Sequence, residues 1–170
     1  VSSDYVFDGF GTDRWTPDSP TRPINCYGRT KRLGELAVQQ ACQQAGSPFA
    51  IVRTSWVISA YGRNFLTSML DRAASVDSVS VVSDQIGGPT PAPDLAAMLL
   101  VAARRLASRS APGGIYHYAG APDSSWADLA RAVFKAAGRV CVVKDIASAD
   151  WCDGIARPLN SRLDCTGVAR

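Results

Sequence analysis

The 170 residues carry 46% hydrophobic and 19% charged side chains, a balance that suits one globular domain with a packed core and excludes a disordered chain. A formal net charge of +3, spread along the chain, gives no reason to expect nucleic acid as a partner. The longest apolar run, Leu95 to Ala103, is far below the ~20 residues of a membrane helix, so no membrane is expected either.

In chain order, Val1 to Phe7 is β-rich and ends in the turn signal Asp8-Gly9. A polar, proline-bearing loop runs to about Pro23, and Cys26 to about Gln44 is predicted helical, with Leu33, Leu36, Ala37 and Ala41 on one side. Gly46 and Pro48 end that helix. A buried strand is expected over Phe49–Thr54, a helix over Asn64–Ala74, a short strand over Val79–Val82 and a loop over 84–91. A helix follows over about Pro93–Ala107, with proline tolerated in its first turn, then a strand over Gly114–Tyr118. Ser125 and Asp128 make a capping box for a further helix, which Gly138 closes before a last strand at Val140–Val143. Alternating strands and helices predict a parallel α/β sheet.

Five cysteines, at 26, 42, 141, 152 and 165, are odd in number and lack C-x-x-C spacing. They read as thiols of a reducing cytoplasm, with no disulfide framework and no metal site expected. The single histidine, His117, falls in a strand and reads as structural. The only G-x-G, Gly9-Phe-Gly11, has no third glycine and opens no helix. A dinucleotide diphosphate is normally cradled by G-x-G-x-x-G between a strand and a helix. The expectation is therefore that the first strands and helices of the fold lie outside this sequence. Residues 1–170 would be a partial domain with an open sheet edge and exposed apolar surface near Val1–Phe7, unable by itself to bind a nicotinamide cofactor tightly or to turn over.

The sharpest motif is Tyr27-Gly-Arg-Thr-Lys31 at the start of the first predicted helix. Residues four apart share a helix face, so the phenol and the ammonium can serve one site. A free phenol holds its proton to about pH 10, and a neighbouring cation stabilises the phenolate, making tyrosine a usable acid toward a carbonyl oxygen. The spacing alone fits a solvated helix start equally well. Ser3 and Asp4 precede it and would fall toward the carboxyl end of the first strand, where open α/β sheets bind ligands.

Ser2 to Gly9, Pro23-Ile-Asn-Cys-Tyr-Gly-Arg-Thr-Lys31 and Gly34-Glu35 resemble the extended short-chain dehydrogenase/reductase superfamily. Arg53-Thr-Ser-Trp-Val57, Gly62-Arg-Asn-Phe65, Asp84-Gln-Ile-Gly-Gly-Pro-Thr90, Tyr116-His117, Ser125-Trp126 and Arg157-Pro-Leu-Asn-Ser-Arg-Leu163 are similar, in order, to the dTDP-4-dehydrorhamnose reductase family. Ile58 departs from that family's usual tyrosine.

The resemblance implies the later part of a Rossmann-type parallel sheet with a small substrate-binding lobe. It implies reduction of a 4-keto nucleotide sugar by NADPH or NADH in the cytoplasm, with a dTDP-sugar as substrate, and allows a homodimer. Tyr27 matches the catalytic tyrosine, Lys31 the lysine that also holds the nicotinamide ribose, and Ser3 the catalytic hydroxyl. Ser3, Asp4, Trp56, Arg157 and Asn160 match substrate contacts. The alternatives are another nucleotide-sugar epimerase or dehydratase of the superfamily, or a non-catalytic regulatory subunit with this fold. A core aromatic is the competing reading of Trp56, and a tight turn that of Asp84–Thr90.

Overall fold

A computed structural model describes residues 1–151 and 154–168. The chain opens with β1 (Ser2–Ser3) and at once turns into a 3-10 turn over Asp4–Val6. The strand expected through Phe7 is thus cut short, because the Ser3 hydroxyl accepts the Tyr5 N–H at 3.2 Å and Phe7 N–H closes on the Asp4 carbonyl at 3.0 Å. Asp4 therefore stands just past the strand, in the turn. Helix α1 (Cys26–Ala45) starts where Asn25 caps it, accepting the Gly28 N–H at 2.8 Å, and stops at Gly46, whose φ of 60° suits glycine.

After α1 come β2 (Ala50–Thr54), β3 (Val57–Ile58) and α2 (Phe65–Ala73), the last opened by an Asn64–Thr67 capping box. Then follow β4 (Ser78–Val82), β5 (Ile86–Gly87), β6 (Thr90–Pro91), α3 (Ala92–Ala107), β7 (Gly114–His117) and β8 (Ser124–Ser125). Helix α4 (Trp126–Ala136) begins where Ser125 accepts the Asp128 N–H, as its capping box predicts. Strands β9 (Val142–Ile146) and β10 (Asn160–Ser161) complete the order. The last predicted strand is shifted along the chain, because Gly138 and Arg139 still close on the end of α4 and leave Val140 exposed.

The central sheet is parallel, in the order β1-β2-β7, so β1 is an edge. Val1 is exposed there, but Val6 and Phe7 are wholly buried, against the expectation of an apolar surface through this segment. The 3-10 turn folds them under the loops onto Leu163 and Trp15. Strands β4 and β9 form a second parallel pair, covered by α2 and α4 around Met69, Val79, Val81, Ala127, Ala130, Val133 and Phe134. The four described cysteines are free thiols; Cys152 lies outside the described residues. Among the described residues no helix is long and apolar enough to cross a membrane, and no cluster of His, Cys, Asp and Glu is placed to hold a metal.

Helix α1 meets the sheet with a face other than its leucine side. Leu33 and Leu36 point to solvent, 64% and 43% exposed, whereas the buried α1 residues are Gly28 and Glu35. Glu35 receives both Arg53 Nε and an Arg53 terminal nitrogen at 2.8 Å, a bidentate fork in which both side chains are 1% exposed. Arg53 also donates to the Pro17 carbonyl at 3.1 Å and lies over the Phe7 ring at 5.1 Å, and Arg32 adds a second cation to Glu35 at 3.0 Å. Burial is the largest influence and would raise the Glu35 carboxyl, but the Arg53 fork, together with Ser2 and Arg32, holds it below its ordinary value. On β2, Arg53 is flanked in register by Ser2 and His117.

His117 is 1% exposed, joined through Nδ1 to the Trp15 carbonyl at 3.0 Å and set edge-on to Phe7. Burial, with the Arg53 charge beside it, pushes its imidazole down to about 4. It is therefore neutral near pH 7, with Nδ1–H as the donor.

Two outcomes follow. Glu35→Ala strands a buried guanidinium and is expected to cost about 3–5 kcal/mol in urea unfolding, whereas Glu35→Leu with Arg53→Met costs less than either single change; a loss under about 1 kcal/mol for Glu35→Ala would contradict this. For His117, the unfolded chain takes up a proton near pH 6.5 and the native chain only near 4. Stability attributable to it is therefore lost as pH falls from about 6.5 to 4. Asp4, with a carboxyl raised to about 6, acts in the opposite sense between its ordinary value and 6. His117→Gln should accordingly lose about 2 kcal/mol less than the parent between pH 7 and pH 5, and parallel stability curves would contradict it.

Candidate active site

The site is assembled where α1 crosses the end of β1. A Cβ on Gly28 would collide with the Tyr5 carbonyl, so only glycine lets the first turn of α1 lie on the 3-10 turn. That approach seats the Tyr27 ring edge-on against the Tyr5 ring, 5.4 Å between centroids, with the Tyr27 side of the pair 53% exposed. One turn further on, Lys31 Nζ donates to the Val1 carbonyl at 2.7 Å. Tyr27 and Lys31 thus stand over the Val1–Tyr5 segment, as their spacing predicts, and the lysine retains two further N–H donors.

Ser3 and Asp4 are buried beneath them, 7% and 2% exposed. The Ser3 hydroxyl donates to Asp4 Oδ1 at 3.0 Å, so in this state it is turned toward its neighbour. Burial pushes the Asp4 carboxyl up to about 6, opposed by the hydroxyls of Ser161 and Ser3, and its Oδ2 makes no hydrogen bond. Tyr5 is pushed up to about 12 by burial and then by the Asp4 charge, while Arg157 beside it acts the other way. Tyr5 is accordingly a neutral phenol at working pH.

Tyr5 and Arg157 open onto a cleft of about 350 Å³ bounded by α2, β4 and the start of α4. Arg63, Arg72 and Arg157 supply cations, and Tyr5, Phe65, Trp126 and Trp151 supply aromatic surface. Trp56 sits behind this wall: its ring stacks on Trp126 at 3.7 Å with planes 12° apart. Of the two stacked indoles it is therefore Trp126 that lines the cleft, a residue the sequence offers only as the second of Ser125-Trp126. Tyr5, Arg63 and Phe65 likewise lie within the Ser2–Gly9 and Gly62–Phe65 motifs, and the sequence gives no sign that they face a cleft. Trp56 has a left-handed backbone, φ 47°, unusual for a bulky residue, and its carbonyl accepts the Thr90 N–H at 3.0 Å.

Asn160, matched to a substrate contact, has a framework task here. It is 2% exposed, its Nδ2 donates to the Asp13 carbonyl at 2.7 Å, and its Oδ1 accepts from Arg162 N–H and a guanidinium nitrogen at 3.2 Å. Segment 84–90, the possible tight turn, holds β5 and the start of β6, and β5 pairs with both β10 and β8.

A nicotinamide cofactor fits these residues at one end only. Tyr27 and Lys31 present a phenol and an ammonium beside the edge of the sheet, suited to the nicotinamide ribose. Gly9 and Gly11 have positive φ, but Gly9 is pressed against Pro158 and neither begins a helix, so they form no diphosphate cradle.

Comparison with known proteins matches residues 1–170 to the RmlD substrate binding domain. A dTDP-4-dehydrorhamnose reductase of Sinorhizobium fredii (strain NBRC 101917 / NGR234) is 41% identical over all of this chain and 58% of its own length. One from Aggregatibacter actinomycetemcomitans is 37% identical over 99% of this chain and 58% of its length. The crystal structure of dTDP-4-dehydrorhamnose reductase from Bacillus anthracis in complex with NADP superimposes with a TM-score of 0.84 at 32% identity, covering 99% of this chain and 57% of that one. The chain thus spans little more than half the length of these relatives.

Proposed function

The chain belongs to the RmlD substrate binding domain family, and from that premise we propose that the whole protein reduces the 4-keto group of dTDP-4-dehydro-L-rhamnose with NADPH or NADH, giving dTDP-L-rhamnose. The observation that carries this reading is the half-exposed Tyr27 phenol, seated by Gly28 over the Ser3–Tyr5 turn that opens onto the arginine–aromatic cleft. Arginines around a cleft suit a diphosphate, and aromatic walls suit a base and a deoxysugar. The reductase names of relatives at 41% and 37% identity favour reduction over epimerisation or dehydration by the same Tyr–Lys pair.

Bound nicotinamide supplies the hydride. The chain's own residues supply the rest. Tyr27 gives its phenolic proton to O4 as C4 gains hydrogen, so the C=O becomes H–C–O–H, and solvent returns the proton to Tyr27. Lys31 stabilises the phenolate and holds ribose hydroxyls with its free N–H donors. Ser3 turns its hydroxyl from Asp4 to O4, and the Asp4 Oδ1 it vacates then accepts from a sugar hydroxyl. Arg157 binds the diphosphate, and Trp56 stands behind Trp126 on the side of the cleft where the sugar lies. Asn160 contributes by fixing the strand after Arg157. We assign the reaction to the cytoplasm, where reduced nicotinamide and nucleotide sugars are made.

In the whole protein, Tyr27→Phe is expected to lower turnover of the keto sugar by a factor of at least roughly 10² while dTDP-L-rhamnose still binds, since only the proton donor is lost. Steady-state kinetics paired with calorimetric binding checks it, and near-parental turnover would remove Tyr27 from the mechanism.

A further inference from the structure

The wall of the cleft is a built assembly. Trp126 stacks on Trp56 at 3.7 Å and is flanked by Phe65 at 4.6 Å. Its indole N–H donates to Gln85 Oε1 at 3.2 Å. Gln85 is 6% exposed, and its Nε2 donates to the Ser148 hydroxyl at 2.9 Å; that hydroxyl in turn donates to Asp84 Oδ1 at 2.6 Å. Both ends of the Gln85 amide are therefore fixed, and through it the plane of the Trp126 ring. On the other side of the pair, a Cβ on Gly87 would come within 2.9 Å of Trp56 Cε2 and 3.0 Å of Ser161 Cβ. Ser161 lies beside Asp4. The indole pair is thereby tied to the Asp4 end of the site, where the reacting sugar must lie if Tyr27 is the acid.

We propose that Trp126 is a substrate-contacting, specificity-determining residue, its indole forming with Trp56 a stacked wall for the apolar face and methyl group of a 6-deoxyhexose, and that Gln85 is its positioning residue. The proposal rests on the reading that the cleft takes a dTDP-sugar. A deoxyhexose offers C–H groups rather than hydroxyls along part of its surface, and an indole of fixed orientation meets them without the ordering cost of a free side chain.

The test is calorimetric titration of the whole protein and its variants with dTDP-L-rhamnose and, separately, dTDP. Trp126→Ala is expected to weaken dTDP-L-rhamnose roughly tenfold and dTDP much less. Trp126→Phe, which keeps an aromatic ring but no N–H, and Gln85→Met, which removes the acceptor, are each expected to weaken dTDP-L-rhamnose several-fold. Their combination is expected to be no worse than the weaker binder of the two, because both break the same hydrogen bond. If Trp126→Ala does not fold, this pair decides the matter. Thermal midpoints establish folding for each variant. Unchanged dTDP-L-rhamnose affinity in folded variants, equal losses for dTDP, or additive losses in the double variant would overturn the proposal alone. A parent protein that binds neither ligand would overturn the dTDP-sugar reading and this proposal with it.

Discussion

The Glu35–Arg53 fork is the constraint on which the site depends. Helix α1 carries Tyr27 and Lys31, yet it turns Leu33 and Leu36 outward and offers the sheet a face of glycine and charge. Hydrophobic burial therefore cannot fix its position, and a bidentate ion pair, closed from water at 1% exposure on each side, does so instead. Such a pair contributes little net stability once both ions are desolvated, but it fixes direction and spacing, because losing one partner strands the other charge. Arg53 sits in the middle strand, level with Ser2 on one side and His117 on the other. The same guanidinium thus ties the helix, the edge strand, the Pro17 loop and the Phe7 ring together.

From that anchor the site is built by close approaches that only glycine permits. Gly28 lets α1 rest on the Tyr5 carbonyl, and Gly87 lets the Trp56 indole reach β5 and β10. Tyr5 is the hub between the two regions: its ring meets Tyr27, its neighbour is Asp4, and its hydroxyl lies by Arg157 at the cleft. The Tyr27–Lys31 pair and the arginine–aromatic cleft are in this way placed on two faces of one three-residue turn.

Much of this was legible in the sequence for local reasons. The Tyr27–Lys31 spacing on a helix, the Ser125 start and the Gly46 stop are each encoded within a few neighbouring residues, and the structure follows them. What escaped depends on partners distant in the chain. The face by which α1 docks is not written in the spacing of Leu33 and Leu36, because the helix is held by a pairing eighteen residues apart. Trp56 was singled out from its motif, but whether it or Trp126 lines the cleft is decided by a stack between residues far apart in sequence. The bonds of Asn160 to the Asp13 carbonyl and to Arg162 likewise form only on folding and cannot be read from the motif that holds it. The first strand was overextended because the Ser3 hydroxyl's competition for the Tyr5 N–H leaves no trace in β-propensity.

The most direct measurement of the account is oxidation of NADPH by the whole protein supplied with dTDP-4-dehydro-L-rhamnose, followed by the fall in reduced-nicotinamide absorbance and by identification of the sugar product. The account predicts one NADPH consumed per dTDP-L-rhamnose formed. No oxidation by folded protein with either NADPH or NADH, or conversion of a nucleotide sugar without net consumption of reduced cofactor, would contradict it.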